Sequence, residues 1–167
     1  MPKFYTIDLD YLRYLKQIDD RVPNFDYEDH NKFFFGTVLC VNSIQYFVPI
    51  SSKRIQNATT MPIKESRRDG SLRQIASIRL SFMLPVPEEL LEEIDMNWLR
   101  LTKGENYANF VAKEYEYCKD NYDRIQRRAE SVYYFGTHPE HEYYKYCCDF
   151  IALEKACQNW LIGHTDS

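Results

Sequence analysis

The strongest constraint on the fold is a continuous apolar run, FFFGTVLCV at residues 33–41, which ends in an Asn-Ser turn. A run of this length that is bounded by turn residues is typical of a buried strand. IQYFVP at residues 44–49 has the same strand-like composition, so the two runs together predict a β-hairpin. The hairpin would place the polar tetrapeptide Ser51-Ser52-Lys53-Arg54 just beyond the end of its second strand.

The rest of the chain predicts strands first and helices later. Residues 50–72 look irregular and basic, and residues 21–32 read as a polar loop. This order favours an α+β domain around an antiparallel sheet, and 167 residues suit a single domain spanning 1–167. We expect further strands at 3–7 and 73–84, a helix at 9–18, one or two helical turns at 88–94, and long helices at 105–134 and 140–161.

Positive charge is concentrated in one segment of an acidic protein. The formal net charge is −4, yet residues 53–79 contain seven cations against two acids. A local basic segment can be the electrostatic footprint of a polyanion such as RNA. The alternative is a solvated loop face with no partner. The seven cations are Lys53, Arg54, Lys64, Arg67, Arg68, Arg73 and Arg79.

Composition gives no sign of a membrane, a metal or a cofactor. No apolar run approaches the roughly 18 residues of a membrane span, and the N-terminus lacks the apolar core of a signal peptide, so we expect a cytoplasmic protein. Five cysteines without a CxxC pair argue against a metal site and against a disulfide framework. His138 and His141 have no third ligand nearby, and His30 is more commonly a solvated loop residue than an acid or base.

The tetrapeptide Ser51 to Arg54 is the candidate for chemistry. Phosphate handling needs hydrogen-bond donors and positive charge that converge on one point. Serine hydroxyls, the lysine ammonium and the planar arginine fork all meet that need. Such tetrapeptides also occur in ordinary polar loops, so the residues alone leave both interpretations open.

Four blocks of sequence, in order and in register, resemble the ToxN/AbiQ family of type III toxin–antitoxin endoribonucleases. The resemblance covers nearly the whole chain, and the tyrosine- and lysine-containing helix predicted after residue 104 extends it. The blocks are KFYTI at 3–7 with Tyr11, YL at 14–15 and RVPN at 21–24; NKFFFGTV at 31–38; YFVPISSK at 46–53; and IRLSFMLPV at 78–86.

The resemblance implies a fold and an activity. The family fold is a strongly twisted antiparallel sheet, similar to that of the MazF/Kid toxins, with extra helices packed on it. The implied activity is metal-independent RNA cleavage that leaves a 2′,3′-cyclic phosphate, acting on cellular or phage mRNA in the bacterial cytoplasm. The implied partner is a small repeated RNA pseudoknot, which the toxin cuts from its precursor and then holds in a protein–RNA hetero-oligomer.

The resemblance also implies catalytic residues. The family's Thr-Ser pair falls on Ser51 and Ser52, and its lysine before the FxG strand falls on Lys32. The family then reads Pro-Lys, where this chain has Lys53-Arg54, so strict register selects Arg54 and residue type selects Lys53. Arginine does not lose its proton near neutral pH, whereas Lys53 could act as a base if Arg54 and Lys32 depress its pKa.

Two tyrosines match the family's RNA-contact positions. They are Tyr11 in the first helix and Tyr27 upstream of Lys32, and the resemblance implies that they stack on bases or bond to phosphate in a single-stranded RNA site. The alternatives are a core position for Tyr11 and solvated loop positions for Tyr27 and Lys32. Four cations of the basic segment would hold the RNA antitoxin through its phosphates: Lys64, Arg67, Arg68 and Arg73.

Two other functions stay open at this point. The same sheet could carry a non-catalytic RNA-binding or assembly module, which would bind RNA without cutting it. The tyrosine-rich helices could instead bind a small molecule or a protein, in which case the chain would have no affinity for RNA.

Overall fold

An antiparallel sheet forms the centre of the molecule. The computed structural model describes residues 2–23 and 33–164, so the predicted positions Tyr27, His30 and Lys32 lie outside the described residues. Within these ranges the main path of the sheet runs β4-β5-β3-β2-β1-β7, and β6 pairs with β3. The strands are β1 (Lys3–Ile7), β2 (Phe34–Val41), β3 (Ile44–Ser51), β4 (Thr60–Ser66), β5 (Leu72–Arg79), β6 (Leu84–Pro85) and β7 (Leu91–Glu93).

The predicted hairpin is confirmed as β2 and β3. The strands pair antiparallel from Val41↔Ile44 to Phe34↔Pro49, with a register irregularity between Gly36 and Leu39. The two turn residues between the strands have positive φ angles of 50° and 69°, which matches the twist of the strands they join. The hairpin therefore delivers Ser51 to the end of β3 as expected.

Gly36 is required by the packing of the same hairpin. It lies opposite Phe47 in the β2–β3 register, and a Cβ atom added to Gly36 would collide with the Phe47 ring. A larger residue at this position would displace a fully buried aromatic ring. The glycine of the NKFFFGTV block thus has a structural explanation in the packing of the core.

The prediction of an irregular segment at 50–72 is wrong over β4. Strand TMPIKES was missed because Pro62 and Lys64 obscure its alternation, and Pro is tolerated here because β4 is the edge strand. β4 pairs with β5 along its whole length, and the register shifts between Ile63 and Lys64, so that Ile75 is the extra residue opposite. The basic segment is therefore a β-hairpin at the sheet edge.

The structure differs from the prediction at the end of β5 and again at residues 88–94. The predicted strand at 73–84 ends at Arg79, and a 3₁₀ turn at Leu80–Phe82 follows before β6 rejoins the sheet beside β3. The predicted helical turns at 88–94 are a 3₁₀ turn at Glu88–Leu90 followed by β7. β7 pairs with β1, so this segment adds an edge strand to the sheet.

The early helix is confirmed, and the two predicted long helices are corrected. The predicted helix at 105–134 is two helices that break at Asn121, whose side-chain amide donates to the Tyr117 carbonyl and competes with the helix ladder. The predicted helix at 140–161 begins only after Asp149, which caps it by accepting from the Ala152 amide. In the described ranges the helices are α1 (Leu9–Ile18), α2 (Met96–Lys103), α3 (Glu105–Asp120), α4 (Tyr122–Thr137) and α5 (Phe150–Gly163).

The helices cover the sheet and close one aromatic-rich core. Tyr14 of α1 donates to the Ala156 carbonyl of α5 at 3.1 Å, and Tyr46 of β3 bonds to the Glu154 carboxylate of the same helix. No helix in the described ranges is long and apolar enough to cross a membrane. The largest fully buried side chains include Tyr11, Tyr46, Phe34, Phe35, Phe47 and Phe150.

Candidate active site

A cationic cleft lies where β3 ends beside the C-terminal end of α1. Its volume is about 310 Å³. Four cations from three separate segments of the chain line it, together with one acid, Asp20, and the hydroxyl-bearing Ser51. Convergence of cations on a concave surface favours a polyanionic ligand. The four cations are Lys16, Arg21, Lys53 and Arg79.

Ser51 fixes the start of the loop that follows β3. It is 8% exposed and pairs with Ser77 in the register between β3 and β5. Its Oγ accepts a hydrogen bond from the Lys53 amide at 3.2 Å, which is the local turn that serine often makes with the backbone two residues on. Ser51 is thus placed to shape the loop that carries its neighbours.

Ser77 and Gln74 fix the far end of the same loop. The Ser77 Oγ donates to the Lys53 carbonyl at 2.6 Å and accepts from the Ile55 amide at 2.8 Å. Gln74 Nε2 donates to the Ile55 carbonyl at 3.1 Å. Neither residue was predicted as part of the site. The sequence signal for Ser77 is a polar residue between Ala76 and Ile78 in a predicted strand, and the structure buries it completely.

The three side chains at the tip of the loop differ in their relation to the cleft. Ser52, Lys53 and Arg54 are all exposed. Of the three, only Lys53 lines the cleft, while Ser52 and Arg54 lie outside it. The geometry therefore favours Lys53 over Arg54 as the cation that meets a ligand in the cleft.

The other three cations of the cleft were absent from the predicted site. Lys16 Nζ donates to the Val22 carbonyl at 2.6 Å and to the Asp20 carbonyl at 3.2 Å. The Arg79 guanidinium stacks over the Phe82 ring at 4.5 Å. Arg21 is paired with a buried carboxylate beside the end of α1. No local pattern in the sequence brings these segments together.

Tyr11 does not lie in the cleft. Its side chain is completely buried, and its hydroxyl donates to the Pro85 carbonyl at 2.6 Å. Its ring meets the Trp160 ring edge-on with the centroids 5.3 Å apart. Burial raises the pKa of the Tyr11 phenol well above its ordinary value. The predicted RNA contact at Tyr11 is corrected to a core position, because a ring without exposed surface cannot stack on a base.

The predicted antitoxin-binding cations lie on the β4–β5 hairpin. Lys64, Arg67 and Arg68 are exposed there. Arg73 is held by Glu65, with Nη2 and Oε1 2.6 Å apart, and hydrogen bonds from Arg73 and from Lys113 hold the pKa of Glu65 below its ordinary value. Arg73 is therefore already engaged within the sheet, and three exposed cations remain on the hairpin.

The histidines singled out in the sequence serve in aromatic stacks. His138 stacks on Tyr134 with the ring centroids 3.8 Å apart, and His141 stacks on Phe135 at 4.3 Å. Within residues 2–23 and 33–164, no three His, Cys, Asp or Glu side chains are grouped as a metal site would require.

An antiparallel sheet that ends in a cationic, hydroxyl-bearing cleft is suited to a polyanionic ligand such as RNA. The family model for "Toxin ToxN, type III toxin-antitoxin system" matches residues 3–158. The chain therefore belongs to the ToxN toxin family.

The relatives and solved structures agree with this membership. Endoribonuclease ToxN of Bacillus thuringiensis subsp. kurstaki is 33% identical over 166 residues, which cover 95% of this chain and 84% of the relative. Endoribonuclease AbiQ of Lactococcus lactis subsp. lactis is 30% identical over 162 residues, or 91% and 85% of the two chains. A structure from work on selective toxin inhibition by a non-coding RNA pseudoknot superposes with a TM-score of 0.82 at 30% identity, over 95% of this chain and 97% of the other.

Proposed function

We propose that this protein is a sequence-selective endoribonuclease toxin of a type III toxin–antitoxin system, acting as one domain in the bacterial cytoplasm. Its substrate is cellular or phage mRNA, which it cuts without a metal ion. The observation that carries the proposal is the cationic cleft at the end of β3, in a chain that belongs to the ToxN family. The relatives named endoribonucleases support the reaction class.

The reaction is an internal transesterification, so the enzyme supplies no nucleophile. The ribose 2′-oxygen attacks the adjacent phosphorus, the bond to the 5′-oxygen breaks, and the leaving oxygen takes up a proton. Lys53 is the group proposed to accept the 2′-hydroxyl proton and to face the developing negative charge. Ser52, with Lys32, holds the phosphate in line for attack. Ser51 supports this geometry by holding the Lys53 amide.

The proposed inhibitor is a small repeated RNA pseudoknot that the toxin cuts from its own precursor. The pseudoknot inhibitor of a structurally similar toxin supports this partner. Lys64, Arg67 and Arg68 on the β4–β5 hairpin offer phosphate contacts outside the cleft, so the RNA can stay bound after cleavage. The product is a protein–RNA hetero-oligomer.

Cleavage of a defined RNA by the purified protein tests the proposal. In excess EDTA the wild type should produce fragments with 2′,3′-cyclic phosphate and 5′-hydroxyl ends. Ser52→Ala should lower the rate by about 10²-fold, because a phosphate-orienting donor is lost. Ser131→Ala, an exposed serine on α4, serves as the matched control and should cut at the wild-type rate.

The same assay separates the alternatives. Strict dependence on a divalent metal would overturn the mechanism. RNA binding without cleavage would favour the assembly module, and the absence of RNA binding would favour a protein or small-molecule ligand. In cells, expression without the antitoxin RNA should stop growth, and Ser52→Ala should relieve the arrest while leaving a folded protein.

A further inference from the structure

A buried carboxylate, Asp19, supports Arg21, which is one of the four cations that line the cleft. Asp19 follows the last residue of α1, and its side chain is 5% exposed. Its Oδ1 accepts from the Arg21 amide and from Arg21 Nε, each at 3.0 Å, while Oδ2 accepts from the Asp149 amide at 2.7 Å. One carboxylate therefore fixes the backbone and the guanidinium of Arg21 and ties both to the start of α5.

The charge on this carboxylate is secured by its partners. Burial alone would raise the pKa of Asp19, but hydrogen bonds from the Asp149 amide, the Arg21 amide and the Arg21 guanidinium outweigh burial and lower the pKa. Asp19 is therefore ionised at neutral pH. A permanent negative charge behind Arg21 holds the guanidinium in one orientation.

The arrangement leaves Arg21 able to bind a ligand. Asp19 engages the Nε edge of the guanidinium, and the described part of the chain gives the two Nη groups no hydrogen-bond partner. The Arg21 side chain is 39% exposed and lines the cleft with Lys53. Lys16 braces the backbone around Arg21 through the carbonyls of Asp20 and Val22. A guanidinium that is braced through Nε and partly exposed suits a phosphate.

RNA offers such a phosphate next to the one that is cut. The loop provides Lys53 for the scissile phosphate, and Arg21 reaches the same 310 Å³ cleft from a separate segment of the chain. We propose that Arg21 binds a phosphate that flanks the scissile one, and that Asp19 is the positioning residue that orients it. This inference rests on the proposed endoribonuclease function. It means that the cleft contacts at least two consecutive phosphates of the RNA.

Replacing Arg21 tests the flanking phosphate contact. Arg21→Ala should raise KM about tenfold with little change in kcat, because the contact is made to substrate and transition state alike. The slope of log(kcat/KM) against log salt should become shallower by about 0.7, the loss of one single-strand phosphate contact. Arg13→Ala is the matched control, since Arg13 lies on α1 outside the cationic cleft and pairs with the exposed Asp10.

Removing the charge from the RNA makes the test specific. Short substrates carry one neutral methylphosphonate linkage, placed one step to either side of the cleaved bond. For the wild type, one of the two should raise KM about tenfold, and for Arg21→Ala the same substrate should behave as the unmodified RNA does. Equal sensitivity of wild type and Arg21→Ala to both substrates would overturn the contact.

Two variants test the positioning role of Asp19. Arg21→Lys keeps the charge but lacks Nε, so it should keep the salt slope while raising KM several-fold. Asp19→Asn should raise KM in the same way, with the methylphosphonate penalty reduced. Wild-type KM values in Arg21→Lys and in a folded Asp19→Asn would overturn the positioning role of Asp19. If Asp19→Asn does not fold, the KM of Arg21→Lys alone decides whether Asp19 positions Arg21. A wild type that cleaves no RNA refutes the proposed function instead.

Discussion

Two clefts border opposite ends of α1, and they carry opposite charge. The cleft at the N-terminal end has a volume of about 560 Å³ and is lined by Asp8, Asp10, Glu89, Glu92 and Arg13, among others. The cleft at the C-terminal end is smaller, about 310 Å³, and carries four cations. Size would select the acidic cleft as the ligand site, whereas charge selects the smaller one for RNA.

The two sets of charges also differ in what the fold requires of them. Acids near a helix N-terminus and cations near its C-terminus stabilise the helix through its dipole. Asp8 is explained in this way, because it caps α1 by accepting from the Tyr11 amide at 3.0 Å. Lys16 is explained in the same way, but Arg79 and Lys53 come from other segments and serve no helix end. These cations, which no helix end requires, support the proposal that the cationic cleft binds RNA.

The largest expected effect is the loss of Lys53. Lys53→Ala should lower kcat by about 10²–10⁴-fold, the usual contribution of a positioned acid or base. Arg54 is the next residue and does not line the cleft, so Arg54→Ala should lower kcat less than tenfold. Glu92→Gln in the acidic cleft is the control and should leave the rate unchanged. A larger loss for Arg54→Ala than for Lys53→Ala would reverse the assignment between the two.

Next in size is the effect of Asp19 on stability, measured by urea unfolding at several pH values. Because its folded pKa is lowered, its charge stabilises the fold fully above the unfolded pKa near 4, and this is lost as the pH falls through the folded value. Asp19→Asn should therefore cost about 2–3 kcal/mol at pH 7 and less near pH 2–3. Asp10→Asn, an exposed acid at the other cleft, should cost under about 0.5 kcal/mol. Equal losses of unfolding free energy in Asp19→Asn and Asp10→Asn would mean that the buried carboxylate stabilises the fold no more than the exposed one.

Ser77→Ala should have a moderate effect on both stability and rate. It removes the bonds to Lys53 and Ile55 and leaves buried backbone groups unpaired, so unfolding should become easier by about 1–2 kcal/mol. The freed loop should lower kcat about tenfold, because the base no longer has a fixed position. Urea unfolding and single-turnover cleavage measure the two effects. A wild-type kcat in a destabilised protein would show that the loop is held by other contacts.

The smallest effect is expected in the acidic cleft. Neutralising Glu89 and Glu92 together, both as Gln, should change KM for RNA less than twofold at 0.15 M salt, since screening limits exposed charges to about 8 Å. The KM should fall slightly, because two repulsive charges are removed. A rise in KM would show that the acidic cleft contributes to RNA binding and would remove the contrast between the two clefts.

Local patterns predicted the parts of the fold whose signals are local. The β2–β3 hairpin and α1 follow from apolar runs, a two-residue turn and the Asp8 cap, all readable within a few residues. β4 was missed because an edge strand tolerates Pro62 and charged residues, and the break at Asn121 was hidden by a stripe that continues through it.

The candidate site divides in the same way. Ser51, Ser52 and Lys53 stand together in the sequence, and the resemblance to the toxin family identified them. Ser77 acts on Ile55, which is 22 residues away. Arg21 is held by Asp19, and Asp19 in turn bonds to Asp149, which is 130 residues away. No short sequence pattern encodes such distant pairs. Tyr11 shows the opposite error, since a residue at a family position can serve the core.

The hydrogen bond from the Asp149 amide to Asp19 makes the complete support of this carboxylate a late product of translation. The two partners are 130 residues apart, so the ribosome completes most of the chain before Asp19 can gain its second anchor. We expect chains that end before residue 149 to cleave RNA at least as poorly as Asp19→Asn does, and equal activity of the shortened and full chains would contradict this. A nascent toxin would then be restrained while it is still attached to the message that encodes it.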